Sequence, residues 1–93
     1  MTVQPYRSTP VFDENTLPAA LRNRHNTKAG VWGVIKVTEG QLRLTYLDPP
    51  SERTLRAGEQ GIVAPRQWHF VTPAGPLKIQ VDFYDQPPGT PSD

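Results

Sequence analysis

Alternation of apolar and polar positions is clearest in the middle of the chain. In VWGVIKVTEGQLRLTYLD (residues 31–48), Ile35 and Val37 are followed at period two by Leu42, Leu44 and Tyr46. This pattern predicts two half-buried strands. Glu39 and Gly40 separate them, and a glycine able to take positive φ predicts a tight hairpin turn there.

Shorter extended runs follow. RTLRA, GIVA, Trp68–Thr72 and LKIQVDFY each read as a strand, separated by Pro65, Pro73, Gly75 and Pro76, while Asp48, Pro49, Pro50 and Ser51 read as a loop. LPAAL predicts one helical turn, capped by Asn15 or Thr16, with Pro18 near its start. Residues 1–10 carry little apolar pattern and read as an extended arm; residues 86–93, QPPGTPSD, read as a flexible proline-rich tail. The folded domain is thus expected over residues 11–85. Six to eight short antiparallel strands must close or double up to bury their apolar faces, so an all-β sandwich, barrel or jelly roll is expected.

Composition narrows the picture. At 93 residues the chain makes one small domain, and eleven prolines and seven glycines favour short strands over long helices. A formal charge of +1 lacks the concentrated basic surface that binds DNA or RNA. With no cysteine, disulfides and thiolate metal sites are excluded, and any metal falls to histidine, carboxylate or water. The N-terminus has no signal-peptide pattern and no apolar run is long enough to span a bilayer, so a cytoplasmic protein without membrane contact is expected. Uncovered strand edges on so small a core suggest a homodimer.

Few residues carry chemistry. His69 sits on a strand just after the Pro65 turn, where imidazole can face the interior as a metal ligand or as a hydrogen-bonded core residue. His25, among Arg22, Arg24 and Lys28, is either its companion ligand or a surface residue. Alternation in IQVDFY places Ile79, Val81 and Phe83 on one face and Asp82 on the other, so Asp82 is a third ligand only if the polar face lines the barrel mouth; otherwise it is on the wet side. Trp32 is a stacking candidate or a packing residue, and Lys28 and Arg66 are candidate contacts for an anion or ordinary solvated cations. Trp68 and Phe70 take the face opposite His69 and Val71, which puts Trp68 behind the barrel wall. Glu39 is read as a turn residue.

The segment AGEQGIVAP followed by His69 resembles the second motif of the cupins, which are jelly-roll barrels (double-stranded β-helices). Gly40 can stand where the first cupin motif closes. Counting back from Gly40, the family's glutamate falls at Gly33, its second histidine near Thr27 and its first one residue from His25. The order RHNTKAGVWGVIKVTEGQL, APRQWHFV and VDFYD is more closely similar to the small cupin-like family typified by YeaR and by the N-terminal domain of the tellurite-resistance protein TehB, from about Val11 to Tyr84. That resemblance implies a cupin-type jelly roll, a divalent metal (zinc, iron or nickel) if His25 and His69 hold one, and an association with tellurite, oxyanion or nitrosative stress. It does not imply methyl transfer, because nothing in the 93 residues resembles a glycine-rich loop for S-adenosylmethionine.

Three readings remain open. The first is a domain binding a small, anionic or metal-held molecule. The second is a metal-dependent oxygenase or isomerase acting on a small polar substrate. The third is a ligand-free dimeric interaction module.

Overall fold

A computed structural model describes residues 3–88. The chain forms β1 (Arg7–Ser8), β2 (Phe12–Asp13), α1 (Ala19–Arg22), β3 (Trp32–Glu39), β4 (Gln41–Leu47), β5 (Pro50–Arg56), β6 (Gln60–Val63), β7 (His69–Pro73) and β8 (Lys78–Tyr84). All strand pairs are antiparallel. One sheet has the order β1-β8-β3-β6 with β2 also on β8, and the other the order β5-β4-β7. The two face each other as an all-β, cupin-type jelly roll. No helix among the described residues is long and apolar enough to cross a membrane.

The expected hairpin at Glu39–Gly40 is instead a corner. β3 pairs with β6 and β8, whereas β4 pairs with β5 and β7, so consecutive strands belong to opposite sheets. A bulge between Val37 and Glu39 bends β3 just before the turn. Gly40 takes φ +74° there, and its missing Cβ leaves room for the Pro76 carbonyl and for Leu77 Cα, which would lie 2.9 Å from a Cβ. The true tight hairpin is β4–β5, with Leu47 opposite Pro50 across Asp48 and Pro49. Pro50 is tolerated because β5 is an edge strand.

Register explains where the core is solid. On the inward faces, Val37 lies beside Ile79, Ile35 beside Val81 and Gly33 beside Phe83; across the sandwich, Leu42 lies beside Pro73, Leu44 beside Val71 and Tyr46 beside His69. The first two layers are filled. Leu42, Leu44 and Leu55 are fully buried, and Gly61 has no side chain to block the methyls of Leu44 and Leu55, which would lie 2.7 and 3.1 Å from a Cβ. In the third layer β3 contributes only a glycine, and a Cβ on Gly33 would meet nothing closer than Val63 Cβ at 3.9 Å. The interior therefore opens at that end. The Tyr46 hydroxyl, donating to the Ile62 carbonyl at 2.6 Å, links the two sheets near the same end.

The N-terminal segment differs from the expected arm. Residues 6–9 join the sheet: the Tyr6 and Thr9 amides donate to the carbonyls of Phe83 and Val81, both at 2.9 Å. Pro10 interrupts this edge, and Thr9 compensates, its hydroxyl accepting the Val81 amide at 3.0 Å while its carbonyl accepts the Gln80 side chain at 2.9 Å. Of the 86–93 tail, residues 89–93 lie outside the described residues. Pro18, not Asn15 or Thr16, stands at the helix N-cap without a side-chain cap bond. The Asp13 carboxylate organises this turn instead, accepting the amides of Asn15 at 2.8 Å and Thr16 at 2.9 Å, which lowers its pKa below the usual carboxylate value.

The corner can be tested by comparing two glycines with positive φ. Gly40→Ala combines backbone strain with overlap on the Pro76–Leu77 backbone and is expected to cost about 3 kcal/mol. Gly75→Ala, with φ +90° and nothing within 4 Å of the new methyl, should cost about 1 kcal/mol. At roughly 4–8 °C per kcal/mol for a domain of this size, thermal melts will separate the two variants. Equal losses would show that Gly40 is not a steric corner.

Candidate functional site

The open end of the jelly roll holds a cavity of about 340 Å³. His69 reaches it from the first residue of β7, following the Pro65 turn, and is only 3% exposed. His25 reaches it from the segment after α1. The two residues exchange both backbone hydrogen bonds, His25 N–H to His69 O at 3.0 Å and His69 N–H to His25 O at 2.9 Å. His25 therefore extends the β5-β4-β7 sheet by one residue beyond β7. Their ring centroids are 4.0 Å apart, with planes inclined at 58°.

Each imidazole is anchored in the same way. His25 Nδ1 lies 3.0 Å from the Asn23 carbonyl and His69 Nδ1 lies 2.7 Å from the Gln67 carbonyl. A carbonyl only accepts, so Nδ1 carries the proton and Nε2 keeps the lone pair in the neutral ring. Nδ1 anchoring of this kind orients the ring and is the usual support for a histidine that binds through Nε2. Burial lowers the His69 pKa from its ordinary 6.5; the bond to the Gln67 carbonyl works against this, and neighbouring His25 adds to the lowering.

From His25 the chain crosses to the other sheet through residues 26–31. Thr27 fixes this crossing: its hydroxyl donates to the Val31 carbonyl at 2.7 Å, and its carbonyl accepts the Arg66 amide at 3.1 Å. The crossing brings Thr27 and Lys28 to the cavity, and β3 brings Gly33. His25, Thr27, Gly33 and His69, the positions that the cupin resemblance relates to a ligand set, thus line one cavity. Two of them have no metal-binding side chain. Among the described residues no group of three or more His, Cys, Asp or Glu side chains is placed to hold a metal.

Other expected site residues lie elsewhere. Asp82 is on the outer face of its sheet, opposite Val34 and Ser8 in register, while Val81 and Phe83 face the cavity. It accepts the Ser8 hydroxyl at 2.6 Å and pairs with Lys36 at 2.8 Å. It is not a third ligand to the histidines, because the apolar alternates of β8 claim the interior. Nor is it on a wet side, being 6% exposed. Trp32 precedes the inward Gly33 and so faces outward, across from Tyr84, away from the cavity. Arg66, at φ 62° in the β6–β7 turn, contributes its backbone amide to the crossing while its side chain does not line the cavity. Trp68 takes the outer face as expected but is 48% exposed, over a shallow depression shared with Arg24, Leu47 and Asp48. Glu39 pairs with Lys78 at 3.4 Å, at the filled end.

Arg7, part of the expected arm, is among the lining residues that sequence reasoning missed, with Tyr6, Leu21, Asn26 and Val31. It stands opposite Phe83 on β1, a two-residue strand too short to carry a periodic signal.

Two outcomes follow. The folded pKa of His69 is lower than its unfolded one, so the stability from burying it neutral is complete above the unfolded value. It is lost as pH falls from about 6.5 through the folded value. Urea midpoints should therefore decline across that window, and His69→Gln should flatten the decline. Asp82→Asn should cost about 1–2 kcal/mol through its weakened contacts with Lys36 and Ser8, with the amide resonances of His25, His69 and Val71, away from its own strand, unmoved in NMR spectra. Displaced His25 or His69 resonances would connect Asp82 to the site after all.

Comparison with known proteins agrees with this architecture. The TehB-like domain family matches residues 7–81. A relative described as a probable S-adenosyl-L-methionine-dependent methyltransferase TehB, from Haemophilus influenzae, is 31% identical over 85 residues, covering 85% of this chain but 30% of its own length. The uncharacterized protein YeaR of Escherichia coli strain K12 is 29% identical over 91 residues, covering 87% of this chain and 76% of its own. A crystal structure of an Escherichia coli strain K12 protein superposes with a TM-score of 0.81 at 25% identity, covering 89% of this chain and 90% of that one. The chain spans under a third of the methyltransferase's length.

Proposed function

The chain belongs to the TehB-like family, and on that premise we propose that it is a small-molecule-binding domain whose ligand enters the open end of the jelly roll and rests against His25 and His69. One observation carries this reading: both histidines of the chain converge on the mouth of a cavity of about 340 Å³, each with Nδ1 anchored and Nε2 left without a protein partner among the described residues. That volume lies at the lower end of the range for small-molecule sites. Neutral imidazole Nε2 accepts hydrogen bonds, so the pair suits a ligand bearing a hydroxyl or N–H group as well as a charged one.

The donor set fits a resident metal poorly. Structural zinc takes four ligands, and catalytic zinc or iron usually takes three from the protein. Here two imidazoles converge, and Asp82 is committed to Lys36 and Ser8 on the other face. A zinc, iron or nickel ion would depend on the ligand itself for most of its coordination. The oxygenase or isomerase reading loses its only carboxylate by the same geometry. The association with tellurite, oxyanion or nitrosative stress asks of this domain only that it recognise a small molecule.

A fragment screen by NMR, with neutral and charged compounds and with metal content measured in parallel on untagged protein, tests the reading. Hits should shift the amides of Gly33, His69 and Val71, leave those of Trp32 and Asp82 in place, and weaken by at least about tenfold in His69→Ala, the loss expected on removing a buried hydrogen-bond partner. Metal should be well below one equivalent. Stoichiometric metal that disappears in His69→Ala, or a screen in which no compound reaches the cavity, would overturn it.

A further inference from the structure

The lining of the cavity is divided by chemistry. Its deep part is made by Ile35, Val63, Val71, Ile79 and Val81, each no more than 5% exposed. Its rim carries Arg7 from β1 and Lys28 from the crossing, both exposed. Among the described residues no aspartate or glutamate lines it. Among the described residues neither Arg7 nor Lys28 is paired with a carboxylate, whereas Lys36 and Lys78 elsewhere on the surface both are. Two cations, two imidazoles and no acid around one opening create a positive potential that an apolar floor does little to screen.

We infer that the ligand of this site is an organic monoanion with an apolar body: an aryl or aliphatic carboxylate held head-out at Arg7 and Lys28, with its hydrocarbon in the Gly33 gap. This rests on the small-molecule reading above and gives that ligand a charge, an orientation and a size. A charge is costly to bury without partners, so the carboxylate belongs at the exposed rim, where Arg7 can meet it with two parallel N–H donors. Hydrocarbon gains by leaving water, so the body belongs against the buried aliphatic wall. At ~30 Å³ for each water-sized unit, the cavity takes a molecule of roughly ten non-hydrogen atoms. A bare inorganic oxyanion would satisfy the rim and leave the wall uncovered. A neutral hydrocarbon would do the reverse.

Titration of the full chain with benzoate, phenylacetate and hexanoate, with the three corresponding amides, and with phosphate, nitrate and tellurite separates these cases. Each carboxylate should bind at least about tenfold more tightly than its amide, the scale of a charge-assisted hydrogen bond, and more tightly than any inorganic anion. Added salt should weaken the carboxylates and leave the amides unchanged. Arg7→Gln and Lys28→Gln, at exposed positions, should each reduce the preference for acid over amide, and the double variant should abolish it. Gly33→Leu should abolish binding of acids and amides together; Gly33→Ala, whose methyl has room, gives a milder version should the leucine prevent folding.

Amides that bind as tightly as acids would overturn the anion and leave the small-molecule reading standing. Inorganic anions that bind as tightly as phenylacetate would overturn the apolar body. Failure of every probe, charged and neutral, to reach the cavity would overturn both this inference and the reading beneath it.

Discussion

The turn at Gly40 is the constraint on which the rest of the molecule depends. A strand pair joined by two residues ordinarily folds back on itself, and β3 and β4 would then lie side by side with one face in common. Positive φ and close approach of the Pro76–Leu77 backbone send the chain across to the other sheet instead. β3 is thereby free to accept β6 and β8 on its two edges, and β4 to accept β5 and β7. Inward residues of the two strands face each other across the core. Every layer of the interior is set by that exchange.

The site is a consequence of the layers. Aliphatic side chains fill the end near Gly40, and the interior opens where β3 reaches Gly33 and β7 reaches His69. A histidine is expensive to bury without hydrogen bonds, and His69 answers this with the Gln67 carbonyl through its ring and with His25 through its backbone. The His25 segment also covers part of the β7 edge. One short bridge thus blunts an edge, anchors the crossing of residues 26–31 and brings two imidazoles together.

What was legible in the sequence follows from which signals are local. Short apolar runs correctly marked β3, β4, β5, β6, β7 and β8, although β5 starts at Pro50, inside the expected loop, and period-two alternation correctly set Asp82 opposite Ile79, Val81 and Phe83. It does not name partners, so the β3–β4 corner looked like a hairpin. It also does not say which face is interior when one polar residue competes with three apolar ones; the apolar set decided. Gly33 and Thr27 were visible as departures from the cupin pattern, and they now read as the space and the fastening of the cavity. Arg7 was out of reach, since its place depends on pairing with Phe83 at the far end of the chain.

Loss of metal-binding side chains changes what the fold can do with its open end. In a cupin-type barrel with a full ligand set, a metal supplies the fixed positive charge at the mouth and the protein supplies the walls. Here Gly33 stands where the cupin resemblance puts a glutamate, and among the described residues no acid lines the cavity. Arg7 and Lys28 place positive charge on long, hydrated side chains at the rim. On the reading proposed above, a ligand would be drawn in by charge and retained by apolar contact, with the histidines meeting a polar group between rim and wall. The glycine that opens the space and the absence of an acid at its mouth are therefore two parts of one specificity.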